Sequence, residues 1–190
     1  MFVAIVLIVG CSKEEAEEVQ VDPCEKIICE NDGVCIDGKC ECKHPYTGQR
    51  CDSQITPTSI FVDSIMLMSF PATNNGIPWD AANGPDIYLS FSWGFQSGSY
   101  LKGQYLGIYN DAVPGPIFTY KENTPLIIED SVFKVSMSFS DFEYENGGSQ
   151  GMSDKIEFML YTQMNNFPDT LLVSDGQGFD ARIHMRYAWD

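Results

Sequence analysis

The sequence predicts an all-β protein in two parts, a small disulfide-rich module followed by an antiparallel β-sandwich of eight strands. Six of the seven cysteines fall between Cys24 and Cys51. From Thr56 onward there is no cysteine, and apolar residues recur at every second position. Clusters of Gly, Pro, Asn and Asp separate these alternating runs, and there is no helical periodicity after Ser12. A period of two marks strands with one face buried and one face wet, and turn residues at this spacing join such strands into a sandwich.

In chain order the first segment is residues 1–10. Phe2 to Gly10 is an unbroken run of apolar or small residues, too short to span a bilayer. It ends Ile8-Val9-Gly10-Cys11, which resembles the cleavage box of bacterial lipoproteins, with a small residue just before the cysteine. The resemblance implies that residues 1–10 are a lipoprotein signal peptide and that the Cys11 thiol receives a diacylglycerol. Cleavage would leave Cys11 as the first residue, its amine open to a further acyl chain. Several chains on one residue give stable anchoring where a single chain does not. The competing reading is an ordinary secretory signal followed by an odd cysteine. No Lys or Arg precedes the run and the leader is shorter than signal peptides usually are, which leaves an upstream start codon open.

Residues 11–21 carry Glu14, Glu15, Glu17 and Glu18 with no aromatic, the composition of a solvated acidic tether. The early Lys13-Glu14-Glu15 resembles the export signal of surface-exposed lipoproteins in the Bacteroidota, a Gram-negative group.

Residues 22–54 hold the cysteine cluster, Cys24-x4-Cys29-x5-Cys35-x4-Cys40-x-Cys42-x8-Cys51. So short a segment cannot enclose a core that folds without covalent help, so the cysteines read as a disulfide framework in an oxidising compartment. Spacing alone leaves fifteen connectivities open. A zinc site competes, but there is no Cys-x2-Cys pair and Cys40-x-Cys42 is poor chelate spacing. The pattern and its closing run, Cys42-Lys43-His44-Pro45-Tyr46-Thr47-Gly48-Gln49-Arg50-Cys51, resemble the epidermal growth factor-like (EGF-like) module. That family's pairing, carried over by position, implies Cys24–Cys35, Cys29–Cys40 and Cys42–Cys51. The approach Val21-Asp22-Pro23 lacks the acidic motif of the family's calcium-binding members, so no metal is implied there.

Residues 56–190 form the sandwich. Ile87, Leu89, Phe91 and Trp93 alternate with Tyr88, Ser90 and Ser92, and Phe133, Val135, Met137 and Phe139 alternate with Lys134, Ser136 and Ser138. Ile156, Phe158 and Leu160 repeat the pattern, as do Ile183, Met185, Tyr187 and Trp189. Ile60 to Phe70, Gln104 to Tyr109 and Leu126 to Glu129 are further strands. Turn residues stand at Asn74-Asn75-Gly76, Ala82-Asn83-Gly84-Pro85, Val113-Pro114-Gly115-Pro116, Asn146-Gly147-Gly148 and Asp175-Gly176-Gln177-Gly178.

The loop Trp79-Asp80-Ala81-Ala82-Asn83-Gly84-Pro85-Asp86-Ile87-Tyr88 sets an Asp-x5-Asp pair before an aromatic strand start. It resembles the first calcium loop of the calcium-and-lipid-binding sandwich of protein kinase C and synaptotagmin, an eight-stranded antiparallel fold. The resemblance implies that Asp80 and Asp86 share a cation with a second acidic loop, using the hard oxygen ligands that calcium takes. Where that loop should follow, Ile156 to Tyr161 runs into Thr162, Gln163 and Met164, and Asp169 is the acid left near the expected place. The implied cofactor is therefore at most one weakly held calcium ion on Asp80, Asp86 and Asp169, and otherwise none. The plainer reading is that the loop aspartates cap turns through backbone amides.

A net charge of −16 excludes nucleic acid as a partner, because no basic stripe exists to neutralise phosphates. Two histidines, His44 and His184, lie in no nucleophile motif, and the cysteines after Cys11 are committed to disulfides, so no catalytic residue is assigned and no enzyme is expected. Trp79, Tyr100 and Tyr120 are candidate exposed aromatics for contact with a sugar or protein. Together these features lead us to expect a non-catalytic lipoprotein, anchored to the outer membrane through its lipid and exposed at the surface. Its sandwich would bind a protein or glycan, as an adhesin or an accessory subunit of an outer-membrane complex. The alternative is a calcium-dependent lipid- or glycan-binding module. Cys11→Ser should move the protein from the membrane to the soluble fraction, and mass spectrometry of the mature chain should find acyl groups on Cys11; an unmodified Cys11 would remove the anchor.

Overall fold

A computed structural model describes residues 22–80, 83–115, 118–129, 133–143 and 148–189; Cys11, the leader and the tether lie outside these described residues. Contacts divide the chain after Ser53 into two units. The described residues contain strands and turns but no helix.

The module carries β1 (Val34–Ile36) and β2 (Lys39–Glu41), an antiparallel hairpin, followed by the short strands β3 (Tyr46–Thr47) and β4 (Ser53–Gln54). Asp37 and Gly38 join β1 to β2 with φ of 48° and 78°, the paired left-handed residues that a type I′ turn requires. Disulfides link Cys24 to Cys35, Cys29 to Cys40 and Cys42 to Cys51 across sequence separations of 11, 11 and 9 residues. Cys51 is the one buried residue among the module's described residues. Apolar burial therefore contributes almost nothing here, and the loops closed by each bridge, worth roughly 2–4 kcal/mol apiece, hold the unit. Packing around the bridges is tight: a Cβ on Gly33 would meet Cys51 Sγ at 2.6 Å and Cys29 Cβ at 3.2 Å.

The second unit begins with β5 (Ser59–Ser69), a small hairpin of β6 (Thr73–Asn74) and β7 (Ile77–Pro78), then β8 (Ile87–Gln96) and β9 (Ser99–Tyr109). There follow β10 (Phe118–Tyr120), β11 (Leu126–Ile128), β12 (Lys134–Glu143), β13 (Gly148–Gly151), β14 (Ile156–Met159), β15 (Thr170–Ser174) and β16 (Asp180–Ala188). One sheet has β10 and β11 sharing a flank of β5, then β16 and β15; the other has β13 and β14 sharing a flank of β12, then β8 and β9. Every pairing in them is antiparallel. Because two pairs of short strands each share a flank, the ten strands fill eight positions, four per sheet.

Alternation explains which side chains meet between the sheets. Ile87, Leu89 and Phe91 of β8 and Val135, Met137 and Phe139 of β12 point inward from one sheet. Ile60, Val62, Ile65 and Leu67 of β5 and Ala181, Ile183 and Met185 of β16 point inward from the other. The inward phase of β5 slips between Val62 and Ile65, and the register against β16 shifts at the same place, between His184 and Met185. A β-bulge absorbs the extra residue and keeps both halves of β5 facing the core. Asp63 lies in this bulge and accepts two hydrogen bonds from the Arg186 guanidinium, each 2.8 Å, which hold its carboxyl below the usual range. The pair is largely solvated, so it serves register more than stability.

The strands missed in sequence are short or lack alternation: β13 reads Gly-Ser-Gln-Gly, and β10 and β15 are brief. At the centre of the core, Phe139 is fully buried and its ring stacks on Phe179 with centroids 5.6 Å apart. Phe139→Ala should cost about 3–5 kcal/mol of unfolding free energy, measured by denaturant titration, because the neighbours cannot collapse into the space.

Candidate binding face

Two regions of the sandwich were candidates, the Asp80–Asp86 loop and the outer face of the β8–β12 sheet. The loop is knitted to its neighbours by backbone bonds. Ala112 N–H donates to the Pro85 carbonyl and Phe142 N–H to the Asp86 carbonyl, each at 2.9 Å. Asp86 N–H in turn donates to Asp141 Oδ1 at 2.7 Å. Asp141 occupies an inward position of β12 and is fully buried, so its carboxylate fastens the loop from inside the fold. Asp86 Oδ1 accepts the Asp111 N–H at 2.9 Å, and the Asn83 amide donates to Asp111 Oδ1.

Asp80, Asp86 and Asp111 therefore converge at this end. Burial, reinforced by the charges of Asp86 and then Asp111, pushes the Asp80 carboxyl above its ordinary pKa. Asp169 does not join them, which corrects the expected ligand set. Its carbonyl accepts the Met185 N–H, and Met185 pairs with Val62, whereas Trp79, next to Asp80, donates from Nε1 to the Pro71 carbonyl just beyond Ser69. Val62 and Ser69 stand about 23 Å apart along β5 at ~3.3 Å per residue. The donors present do not fit a calcium ion. Asp86 and Asp111 spend oxygens on loop amides, and among the described residues no three acidic, histidine or cysteine side chains are disposed to hold a metal.

The expected exposed aromatics are corrected as well. Trp79 and Tyr120 are core residues, 8 % and 3 % exposed, and burial raises the Tyr120 phenol above its ordinary value. Trp79 reaches the core because its indole N–H finds the Pro71 carbonyl at 2.9 Å. Tyr100 is half-buried beside Ser136 and Glu157. His184 contacts Thr170 Oγ1 through Nδ1 at 3.1 Å on the paired strands β15 and β16.

Among the described residues Tyr105 is exposed, and the half-buried Tyr88 and Phe142 lie beside it on the same outer face. On β8 the outward phase is Tyr88, Ser90, Ser92, and on β12 it is Ser136, Ser138, Ser140, Phe142; all alternate with buried residues, and Ser136 is itself buried. Register sets Ser136 opposite Ser92, Ser138 opposite Ser90 and Ser140 opposite Tyr88. On the other side of β8, Tyr105 stands opposite Ser90, Gly103 opposite Ser92 and Ile108 opposite Tyr88. The middle of this face is thus floored by small hydroxyl side chains and glycine. At one end the Tyr88 ring meets Tyr105 edge-on at 5.3 Å and Phe142 at 6.2 Å, lining with Ile108, Gly148 and Ser149 a cleft of about 430 Å³. At the other end Glu157 bonds Lys134 at 2.9 Å and Lys155 at 3.0 Å, and these two hydrogen bonds hold its carboxyl down to about 2. Lys134 also lies over the Phe95 ring at 4.2 Å and Lys155 over Tyr100 at 4.5 Å. The signal for this face was in the sequence as the polar half of each alternation, Tyr88-Ser90-Ser92 and Ser136-Ser138.

A larger concavity of about 1070 Å³ lies in the module, lined in part by Lys26, Lys39 and Arg50, but its lining has no aromatic and Arg50 is committed to Glu30 at 2.9 Å.

No protein-family model matches the chain, and no curated protein matches it. Among solved structures the chain is similar to a C2 domain, with 7 % identity and a TM-score of 0.44 over 69 % of this chain and 98 % of that one. It is also similar to a C2 domain of plant extended synaptotagmin 1, with 11 % identity and a TM-score of 0.41 over 72 % of this chain and 100 % of that one. Human GIVD cytosolic phospholipase A2 aligns with 12 % identity and a TM-score of 0.42 over 71 % of this chain and 18 % of that one. Likeness at this level concerns the fold class and says nothing of a shared site.

The raised pKa of Asp80 means that its ionised form is disfavoured in the fold, so its contribution is favourable below the unfolded carboxylate pKa and is lost as pH rises through the folded value. Asp80→Asn should therefore raise the melting temperature at pH 7, and the gain should vanish below about pH 4. Millimolar calcium should shift the wild-type melting temperature no more than magnesium does; a calcium-specific rise would restore the cation site.

Proposed function

We propose that this chain is a non-catalytic, surface-exposed lipoprotein of a bacterial outer membrane, whose sandwich holds a partner through the outer face of the β8–β12 sheet. The observation that carries the binding role is the exposure of a contiguous aromatic and aliphatic cluster, with Tyr105 72 % and Ile108 45 % exposed beside Tyr88 and Phe142. Apolar groups gathered in water around a cleft are poised to gain by being covered, and tyrosine supplies much of the energy where proteins make contacts. The anchoring role rests on Ile8-Val9-Gly10-Cys11, and the disulfide module serves as an EGF-like, covalently braced spacer. The alternative, calcium-dependent docking to lipid or glycan, would require the end carrying Asp80, Asp86 and Asp111 to take up calcium despite the misfit of its donors, and the calcium titration separates it from the first.

The test uses labelled Cys11→Ser protein titrated onto isolated outer membranes and extracellular polymer from cells that express it. Saturable binding that Tyr105→Ala weakens about tenfold, at an unchanged melting temperature, is expected. Equal binding by both proteins would move the contact surface off this face.

A further inference from the structure

We infer that the partner on this face is a linear, uncharged glycan lying along the row of outward serines on β8 and β12, here called the trough, with one sugar seated in the cleft of Tyr88, Tyr105 and Phe142; the inference rests on the binding role proposed above.

The chemistry of the trough selects the ligand. Its floor is Ser90, Ser92, Ser138 and Ser140, short hydroxyl side chains that both donate and accept hydrogen bonds. Its end is aromatic and aliphatic, with Ser149 at the rim. A sugar ring has the matching pattern: a C–H face that packs on an aromatic ring, and an edge of hydroxyls that pair with hydroxyls.

Charge excludes the alternatives. Among the described residues no Lys, Arg, Asp or Glu lines the cleft. At the far end of the trough Lys134 and Lys155 each pair with one oxygen of the Glu157 carboxylate. An anionic glycan, a phosphate-bearing lipid or a nucleic acid would find no cation among the described residues of the cleft, and the chain as a whole carries −16. A peptide strand added to a sheet uses the backbone groups of an edge, whereas the trough lies over β8 and β12, which are both paired on both flanks.

Length favours a chain of sugars over a single one. Ser92 to Tyr88 spans roughly 13 Å at ~3.3 Å per residue, and the cleft continues beyond Tyr88 toward Phe142. The floor is rigid, since the residues between the serines, among them Phe91, Met137 and Phe139, are locked in the core. A preordered row of hydroxyls loses little freedom on binding, which suits a weak polymer contact repeated along a chain.

The test is isothermal titration of the Cys11→Ser chain with four neutral hexasaccharides, of glucose linked α-1,4, glucose linked β-1,4, mannose and N-acetylglucosamine, against hexagalacturonate as the anionic control. Saturable binding of at least one neutral hexamer and none of the anionic one is expected. Tyr105→Ala should weaken it about tenfold, or ~1.4 kcal/mol. Ser138→Ala should weaken it by a smaller factor, and both variants should keep the wild-type melting temperature. If no neutral hexamer binds while Tyr105→Ala still abolishes attachment to outer membranes, the glycan assignment falls and the contact face stands. If both measurements are insensitive to Tyr105, both fall. Equal binding of hexagalacturonate would overturn the charge selection.

Discussion

The pairing of β5 with β16, the first and last strands of the sandwich, is the constraint on which the rest depends. It runs from Ser59 opposite Ala188 to Ser69 opposite Asp180 and joins residues more than a hundred positions apart. β5 is held on its other flank by β10 and β11, and β15 has β16 as its neighbour. Without this ladder one sheet does not exist, and Leu89, Phe91 and Phe139 of the other have nothing to pack against. Such a contact must close a long loop before it returns any burial, which places the sandwich among slow-folding topologies. The bulge at Asp63 is the local adjustment that lets the ladder keep its apolar face inward at both ends.

The two units solve the problem of stability by different means. The module has nearly no interior and depends on covalent loop closure, with the region about Gly33 packed against sulfur. The sandwich has no cysteine and rests on apolar burial between sheets, of the order of 1.5–3 kcal/mol for each large side chain taken fully out of water. Reductant attacks the first and spares the second, while a cavity in the core does the reverse.

Strand existence was legible where apolar residues alternated over five or more positions, as in β5, β8, β12 and β16. The all-β class followed from those strands and from the turn clusters between them. Strands such as β13 were invisible because pairing, not side-chain phase, makes them strands. The loop aspartates show the same limit from another side. Sequence spacing marked Asp80 and Asp86 as neighbours, but Asp111 arrives from the end of β9 through a register that no local pattern encodes, and Asp169 goes to the other end of the fold. Asp141 was legible in principle, since it sits in the inward phase of β12, where a carboxylate has to be fastening something. The aromatics were misjudged because none of Trp79, Tyr100 and Tyr120 lies in a long alternating run that would show which way it faces. Trp79 lies in a loop that folds back on Pro71, while Tyr88 and Tyr105 stand on strands and face water.

The adjacency of Ser59 and Ala188 has a mechanical consequence. Thr58 N–H donates to the Ala188 carbonyl at 2.9 Å, so the chain enters and leaves the sandwich at one corner. A pull applied between those two ends would unzip β5 from β16 one rung at a time, the weak direction for an antiparallel pair. A pull that enters at Ser59 and leaves through the opposite sheet is different. It loads β5 along its own axis while β16 grips one flank and β10 and β11 grip the other, so many rungs must yield in shear together. The same ladder is therefore soft to force between its termini and stiff to force carried from its entry strand to whatever the far sheet grips.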